Sequence, residues 1–293
     1  MTYQFLRHLL TFCVLLHIPA SAEVSPISPE LRAKFNLDEH YQKVIVVPDF
    51  PIVGSEKVPD AAIEEAAHTV RSMLADRDDI LKKLAENKIR MGIMTVSERT
   101  LDIPEHSDLT PAAFWNRRAR GLGASKERPC ISCAEENLLN NHGDPYNTES
   151  ITVHEFAHAI HLMGLNDLDN TFDARLQAVY KAALKKGLWK DKYAASNHTE
   201  YWAEAVQSWF GANRENDDQH NFVNTRKELI EYDPGVAALC KEVFGDNEWQ
   251  YVRADDPSRK DEVHLKNLDR SKLQTFAWTD KEKKEYDAVE KTQ

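Results

Sequence analysis

The chain has 293 residues, of which 42% are hydrophobic and 29% charged, enough apolar material for the core of one large domain. Its 48 acidic residues outnumber its 37 Lys and Arg residues, and the formal net charge is −11 at pH 7. An acidic balance of this size disfavours binding to phosphate backbones and anionic lipid, so nucleic acid is not an expected partner.

Residues 1–22 predict a secretory signal peptide. Arg7 precedes an apolar run at 9–16, and Ala20 and Ala22 provide the small residues of a cleavage site, so we expect cleavage after Ala22. The run is too short to span a bilayer, and no later stretch is longer. We therefore expect a secreted protein, extracellular or periplasmic, without a membrane span; an uncleaved N-terminal anchor is the alternative. Loss of Arg7 would change the net charge from −11 to −12.

The first part of the mature chain predicts two helices and a strand. Residues 48–59 are rich in turn-forming residues and predict a loop. Asp60 can cap a helix with an apolar stripe formed by Ile63, Ala66, Ala67, Val70, Met73 and Leu74. A second helix follows at 80–84. Residues 89–96 then predict a buried strand.

Residues 121–149 show little periodicity and many Asn, Pro and Gly residues, and they predict loop or short strand. They include Cys130 and Cys133; Cys13 would leave with the signal, and Cys240 lies further on. An exported chain with three cysteines predicts one disulfide and one free thiol, and all three pairings remain open.

Residues 154–158 form an H-E-x-x-H sequence inside a predicted helix. Positions four apart lie on one face of a helix, so His154 and His158 can bind one zinc ion, with Glu155 beside them as general base. The flanking residues are uncharged, as a buried helix requires. Ser150 is the expected N-cap, and Gly164 is the expected end of the helix.

A hydrolytic zinc site needs a third protein ligand and an open position for water. His161 lies about 4.5 Å further along the helix axis than His158, so we expect it to pack or to lie at the rim. The metzincin pattern is excluded because position 164 is Gly rather than His. The third ligand must therefore come from elsewhere in the chain.

A helix predicted at 199–210, with Thr199 as N-cap, supplies the better candidate. Glu200 and Glu204 share one of its faces. We expect Glu200 to bind the metal and Glu204 to accept the ring N–H of a liganding histidine. Two solvated surface carboxylates are the alternative. His198 is left without a role, and the glycosylation sequon at 197–199 is interpreted as structural.

The motifs at 154–158 and 200–205 (E-Y-W-A-E-A), with Tyr193 seven residues before Glu200, resemble the anthrax lethal factor group of zinc peptidases. In that family, the two histidines and the first Glu of the second motif bind zinc, and the tyrosine points at the reacting carbonyl. The resemblance, which covers residues 150–210, implies these roles for His154, His158, Glu200 and Tyr193. It also implies an α+β, zincin-like domain, mostly helical, with a small mixed sheet beside the metal helix and the strand at 89–96 along the substrate cleft.

No linker or repeat interrupts the chain, so residues 23–293 predict a single domain. We expect an N-terminal lobe at 23–120, a metal-binding lobe at 121–252 and a peripheral tail at 253–293. A helix is predicted to end near Gly187 and another to begin at Pro234. The tail mixes acidic and basic residues with sparse apolar ones, which indicates a wrap around the surface or partial disorder.

These patterns predict a secreted metallopeptidase with one Zn²⁺ per chain, acting on a peptide or protein. Glu135, Glu136 and Asn137, in the loop before the metal helix, are candidate substrate contacts. The alternatives are a zinc-stabilised binding protein without turnover and a zinc hydrolase of another amide or ester bond. The patterns do not specify a removable pro-segment, the substrate's sequence or the oligomeric state.

Overall fold

The structure is a computed structural model that describes residues 23–290, so the predicted signal peptide at 1–22 lies outside the described residues. Within this range, helices accompany one six-stranded mixed sheet, which confirms the predicted α+β class. No helix of the described range is long and apolar enough to cross a membrane.

The sheet lies in the first half of the chain. Its strands are β1 (Ser25–Pro26), β2 (Lys43–Val47), β3 (Phe50–Gly54), β4 (Arg90–Met94), β5 (Gly121–Leu122) and β6 (Cys130–Ala134). They are ordered β1-β2-β3-β4-β6-β5; β3, β4 and β6 pair in parallel, and the other neighbours are antiparallel. The sheet therefore combines strands from both predicted lobes, and β5 forms one of its edges.

The helices of the described range are α1 (Pro29–Phe35), α2 (Asp60–Met73), α3 (Asp78–Glu86), α4 (Ala112–Arg118), α5 (Glu135–Leu138), α6 (Ile151–Ala159), α7 (Asn166–Leu168), α8 (Phe172–Lys185), α9 (His198–Trp209), α10 (Arg226–Tyr232), α11 (Pro234–Phe244) and α12 (Asp280–Glu290). A π-helical turn, Ile160–Leu165, joins α6 to α7. The predicted helices at 60–74 and 199–210 correspond to α2 and α9. The segment at 121–149 contains β5, β6 and α5 as well as loop.

Side chains alternate between the two faces of the sheet and build two apolar layers. The larger layer, shared with α2, α6, α8 and α9, contains Ile45, Ile52, Met91, Ile93 and Ile131. The smaller layer, on the opposite face, contains Phe35, Leu37, Tyr41, Val44 and Val53. Most of the core thus lies on the side of the sheet that α6 covers.

The expected disulfide is absent, since Cys130, Cys133 and Cys240 are all free and buried. Cys130 and Cys133 lie three residues apart on β6 and therefore face opposite sides of the sheet. The Cys130 Sγ lies 3.7 Å from the Tyr41 hydroxyl, whereas Cys133 lies in the larger apolar layer. A bridge between them would require the strand to rotate. Cys240 lies on α11 and remains an unpaired thiol as well.

The helix that carries the H-E-x-x-H sequence begins as predicted but continues further. Ser150 caps α6, and its hydroxyl accepts from the Val153 N–H at 3.4 Å. Gly164 does not end the helix, because it lies inside the π-helical turn. A Cβ at position 164 would come within 3.0 Å of Ile80 Cγ2, so the glycine permits close packing of α3 against this turn.

The cap of α9 also differs from the prediction. The helix is capped by Asn197 rather than by Thr199. The Asn197 Oδ1 accepts from the backbone N–H groups of Thr199 at 2.9 Å and Glu200 at 3.0 Å. The asparagine of the sequon is thus used to start the helix that presents Glu200.

The three residues predicted to contact substrate are instead committed to internal contacts. Glu135 accepts from the Val96 N–H at 2.8 Å, and burial raises its pKa to about 7. Asn137 Oδ1 accepts from the Ile151 N–H at 2.9 Å, which ties it to the first turn of α6. Glu136 is fully buried and forms a bidentate ion pair with Arg120, whose second nitrogen lies 3.0 Å from Glu136 Oε2.

The tail at 253–290 wraps around the domain. Arg259 forms a buried ion pair with Glu65 of α2 at 2.8 Å, and Phe276 is buried. α12 packs against α4, where the Tyr286 ring stacks on Phe114 with centroids 5.9 Å apart. These contacts order the tail across the described range.

We expect Glu136→Gln to destabilise the protein by about 3–5 kcal/mol, because the Arg120 guanidinium would remain buried without a counter-charge. Chemical denaturation measures the change. Asp108→Asn is the matched control: it breaks the exposed pair with Arg128 and should cost less than about 1 kcal/mol. A Glu136→Gln protein as stable as the wild type would contradict this structural role.

Candidate metal centre

The contact between α6 and α9 positions the candidate ligands. The Trp202 indole N–H donates to the Ala157 carbonyl at 3.0 Å, in the middle of the contact. At one end, the Ser150 N–H donates to the Ala212 carbonyl at 2.9 Å. These bonds hold the two helices at one spacing, so side chains on their facing surfaces meet at defined distances.

Three donor atoms from these helices form a small triangle. Glu200 Oε2 lies 3.1 Å from His154 Nε2 and 3.2 Å from His158 Nε2, and the two nitrogens are 3.2 Å apart. A tetrahedral zinc ion with bonds of about 2.0–2.1 Å separates neighbouring donors by roughly 3.3 Å. The three atoms therefore fit three corners of a zinc tetrahedron and leave the fourth corner for water. His154, His158 and Glu200 are thus brought together as the motifs predict.

Gln207 orients the His154 ring. The Gln207 Nε2 donates to Glu149 Oε2 at 3.1 Å and to the Ser150 carbonyl at 3.2 Å, which leaves its Oε1 as an acceptor. The His154 Nδ1–H donates to that oxygen at 2.7 Å. In the neutral ring, the Nε2 atom of His154 is consequently the nitrogen that carries the lone pair that a metal needs.

Glu204 lies behind the same histidine but is not its nearest acceptor. The Glu204 Oε1 lies 3.6 Å from His154 Nδ1, further than Gln207 Oε1. Its other oxygen accepts from Asn213 Nδ2 at 3.0 Å and pairs with His220 Nε2 at 3.3 Å. The role predicted for Glu204 therefore belongs mainly to Gln207, and Glu204 adds negative charge behind the ring.

The centre carries more negative than positive charge. Burial alone lowers the pKa of His154, but the carboxylates of Glu200, Glu155 and Glu204 raise it to about 10. Burial opposes ionisation of Glu200, yet hydrogen bonds from His154 and His158 lower its pKa. A group of carboxylates around two imidazoles favours a bound cation at this place.

The triangle lies in a cavity of about 800 Å³, which Glu155 and Tyr193 also line. Burial raises the pKa of Glu155. Burial likewise raises the pKa of Tyr193, so its hydroxyl stays protonated and can donate. The Tyr193 ring lies 6.3 Å from the His154 ring, centroid to centroid.

The strand beside the cavity is β5, not the predicted strand at 89–96. That strand, β4, lies inside the sheet between β3 and β6, whereas the edge residues Gly121 and Leu122 line the cavity. A Cβ at Gly121 would lie 2.4 Å from Ile151 Cγ2 and 3.2 Å from Glu155 Cγ. Glycine is therefore required for the sheet edge to approach the metal helix this closely.

Several cavity residues carried no signal in the sequence. Phe114, Trp115 and Arg118 come from α4, and Tyr286 comes from α12. Tyr286 reaches the cavity because the C-terminal tail folds back onto α4. Gln207, by contrast, lies seven residues after Glu200, two turns along the same helix face, and that spacing could have revealed it. Glu135, Glu136 and Asn137 do not line the cavity.

Neither a known protein family nor a curated protein matches the sequence. Among solved structures, the Pro-Pro endopeptidase PPEP-2 from Paenibacillus alvei is 14% identical, and the match covers 67% of this chain and 96% of that one. The TM-score is 0.38, too low for the likeness to indicate this protein's function.

We expect Gln207→Leu to weaken zinc binding by about 10- to 100-fold, because the His154 ring loses the acceptor that orients it. Competition with a chromophoric chelator measures the affinity. Glu204→Gln is the matched comparison and should have the smaller effect, since the Glu204 oxygen lies further from His154 Nδ1 than the Gln207 oxygen does. The opposite order would show that Glu204, not Gln207, orients the ring.

Proposed function

We propose that this protein is a zinc-dependent metallopeptidase of the zincin type. The observation that carries the proposal is the triangle of His154 Nε2, His158 Nε2 and Glu200 Oε2, with edges of 3.1–3.2 Å, in a cavity that Glu155 also lines. Two imidazoles and one carboxylate with an open fourth position are the donor set of catalytic rather than structural zinc.

Each side chain of the centre has a distinct task in this proposal. Zinc supplies Lewis acidity and lowers the pKa of water toward about 7. Glu155 accepts the proton of the attacking water and delivers it to the leaving amine. The Tyr193 hydroxyl donates to the carbonyl oxygen as negative charge develops there. Arg118 also lines the cavity and adds positive charge near Tyr193.

The edge of β5 supports a peptide as the substrate. β5 is the last strand in the sheet order and pairs with β6, and its residues line the cavity. An extended peptide can add to such an edge by main-chain hydrogen bonds, which hold the scissile bond at a constant distance from the metal ligands. Aromatic rings of Phe114, Trp115 and Tyr286 offer apolar surface to its side chains.

Secretion is part of the proposal and rests on the sequence at 1–22. We expect the exported protein to begin at Glu23. N-terminal sequencing of the protein recovered outside the cytoplasm tests this. A chain that retains residue 1 and stays with the membrane would support the uncleaved anchor instead.

The decisive experiment compares wild type, Glu155→Gln and Glu200→Ala for zinc content and for cleavage of a random peptide library followed by mass spectrometry. We expect one zinc at this centre in wild type and in Glu155→Gln, and none there in Glu200→Ala. Glu155→Gln should lose about 10²- to 10⁴-fold in turnover because its amide cannot accept the proton. Tyr193→Phe should keep zinc and lose about 10²- to 10³-fold.

The outcomes separate the alternatives. Zinc bound through Glu200, with no peptide cleavage in wild type, would favour a zinc-stabilised binding protein. Cleavage of esters or other amides without peptide cleavage would favour a different zinc hydrolase. A Glu200→Ala protein that binds as many zinc ions per chain as the wild type would overturn the ligand set itself.

A further inference from the structure

A second group of metal-binding side chains lies close to the first along the chain. His161 comes from the π-helical turn after α6, Asp173 from the first turn of α8 and His198 from the first position of α9. Their ligand atoms all lie within 4.8 Å of one another. We infer that His161, Asp173 and His198 form a second divalent-cation site, with Zn²⁺ as the bound ion.

Two distances in this group resemble two distances in the first centre. Asp173 Oδ1 lies 3.0 Å from His161 Nε2 and 3.0 Å from His198 Nε2, so two imidazole nitrogens converge on one carboxylate oxygen. Around Glu200, the corresponding distances are 3.1 and 3.2 Å. Donors about 3 Å apart are close to the spacing of roughly 3.3 Å that a zinc ion with bonds of about 2.0–2.1 Å imposes.

The carboxylate and one ring are held in place by other residues. The second oxygen of Asp173 accepts from Gln177 Nε2 at 2.8 Å, which keeps Oδ1 directed at the histidines. The fully buried His161 ring packs against Phe172 and Trp202, with centroids 5.6 and 6.5 Å away. Outer contacts of this kind orient metal ligands.

The backbone at His161 is also unusual. A straight α-helix would continue from α6, but residues 160–165 form a π-helical turn. Such turns are rare and occur frequently at functional sites. The other nitrogen of His161, Nδ1, is buried without a hydrogen-bond partner among the described residues.

Two imidazoles and one carboxylate are ligands that suit Zn²⁺, whereas Ca²⁺ and Mg²⁺ prefer oxygen ligands alone. The side chains of Asp173 and His198 are 35% and 28% exposed, which leaves room for water at the fourth position. A cation here would cross-link the π-helical turn, α8 and α9. It would therefore brace the helices that present His158 and Glu200.

The test measures zinc per chain by elemental analysis after dialysis against buffered Zn²⁺. We expect two zinc ions in wild type, one in His154→Gln, one in His198→Gln and none in the double variant. Asp173→Asn is an independent second variant of the site and should also bind one. Exposed His142 supplies the control, and His142→Gln should bind two.

Thermal unfolding in the His154→Gln background gives a second readout. Zinc should raise the unfolding midpoint of His154→Gln and leave that of His154→Gln with His198→Gln unchanged. One zinc in wild type and none in His154→Gln would show that the three residues are only a hydrogen-bonded cluster. A second zinc that survives both His198→Gln and Asp173→Asn would place it elsewhere and overturn the inference. Because the site is tested with the first centre removed, this result does not depend on the peptidase proposal.

Discussion

The candidate metal centre depends on the carboxylates that are concentrated at the contact between α6 and α9. Glu200 and Glu204 of α9 and Glu155 of α6 lie around two imidazoles in a partly buried place, where unpaired carboxylates are costly. The hydrogen bond from Trp202 to Ala157 and the bonds of Gln207 set the spacing of the two helices. A bound cation would neutralise the excess negative charge. The packing that brings the carboxylates together at an electrostatic cost therefore also makes the contact suitable for a metal ion.

The cavity around this contact is built by elements distant in sequence. The buried pair of Arg120 and Glu136 holds the chain immediately before β5, and Gly121 lets that sheet edge approach α6. α12 also contributes to the cavity lining, because it returns from the C-terminal tail and stacks Tyr286 on Phe114. The candidate metal ligands thus come from one helix pair, whereas the shape of the cavity comes from long-range contacts.

The structure differs from the predictions where the outcome depends on the direction of a side chain or on how distant segments of the chain pack together. The expected disulfide is not formed in any of its three pairings, since Cys130, Cys133 and Cys240 are all free. Cys130 and Cys133, although close in sequence, face opposite sides of β6. The strand at 89–96 was expected at the cleft, but the sheet continues past it through β6 to β5. Glu136 resembled a cleft residue in a polar loop, and only the approach of Arg120 shows it to be half of a buried ion pair.

The sequence by itself determined the ligand candidates, because helical periodicity places His154, His158, Glu200 and Glu204 on faces that can be read locally. Apolar patterns within a few turns also predicted six of the twelve helices of the described range, and the family resemblance implied the α+β class. Tertiary structure alone decided that β5 borders the cavity and that His161, Asp173 and His198 meet. Those facts depend on the relative placement of separate elements, which is set by core packing and cannot be derived from the periodicity of any one segment.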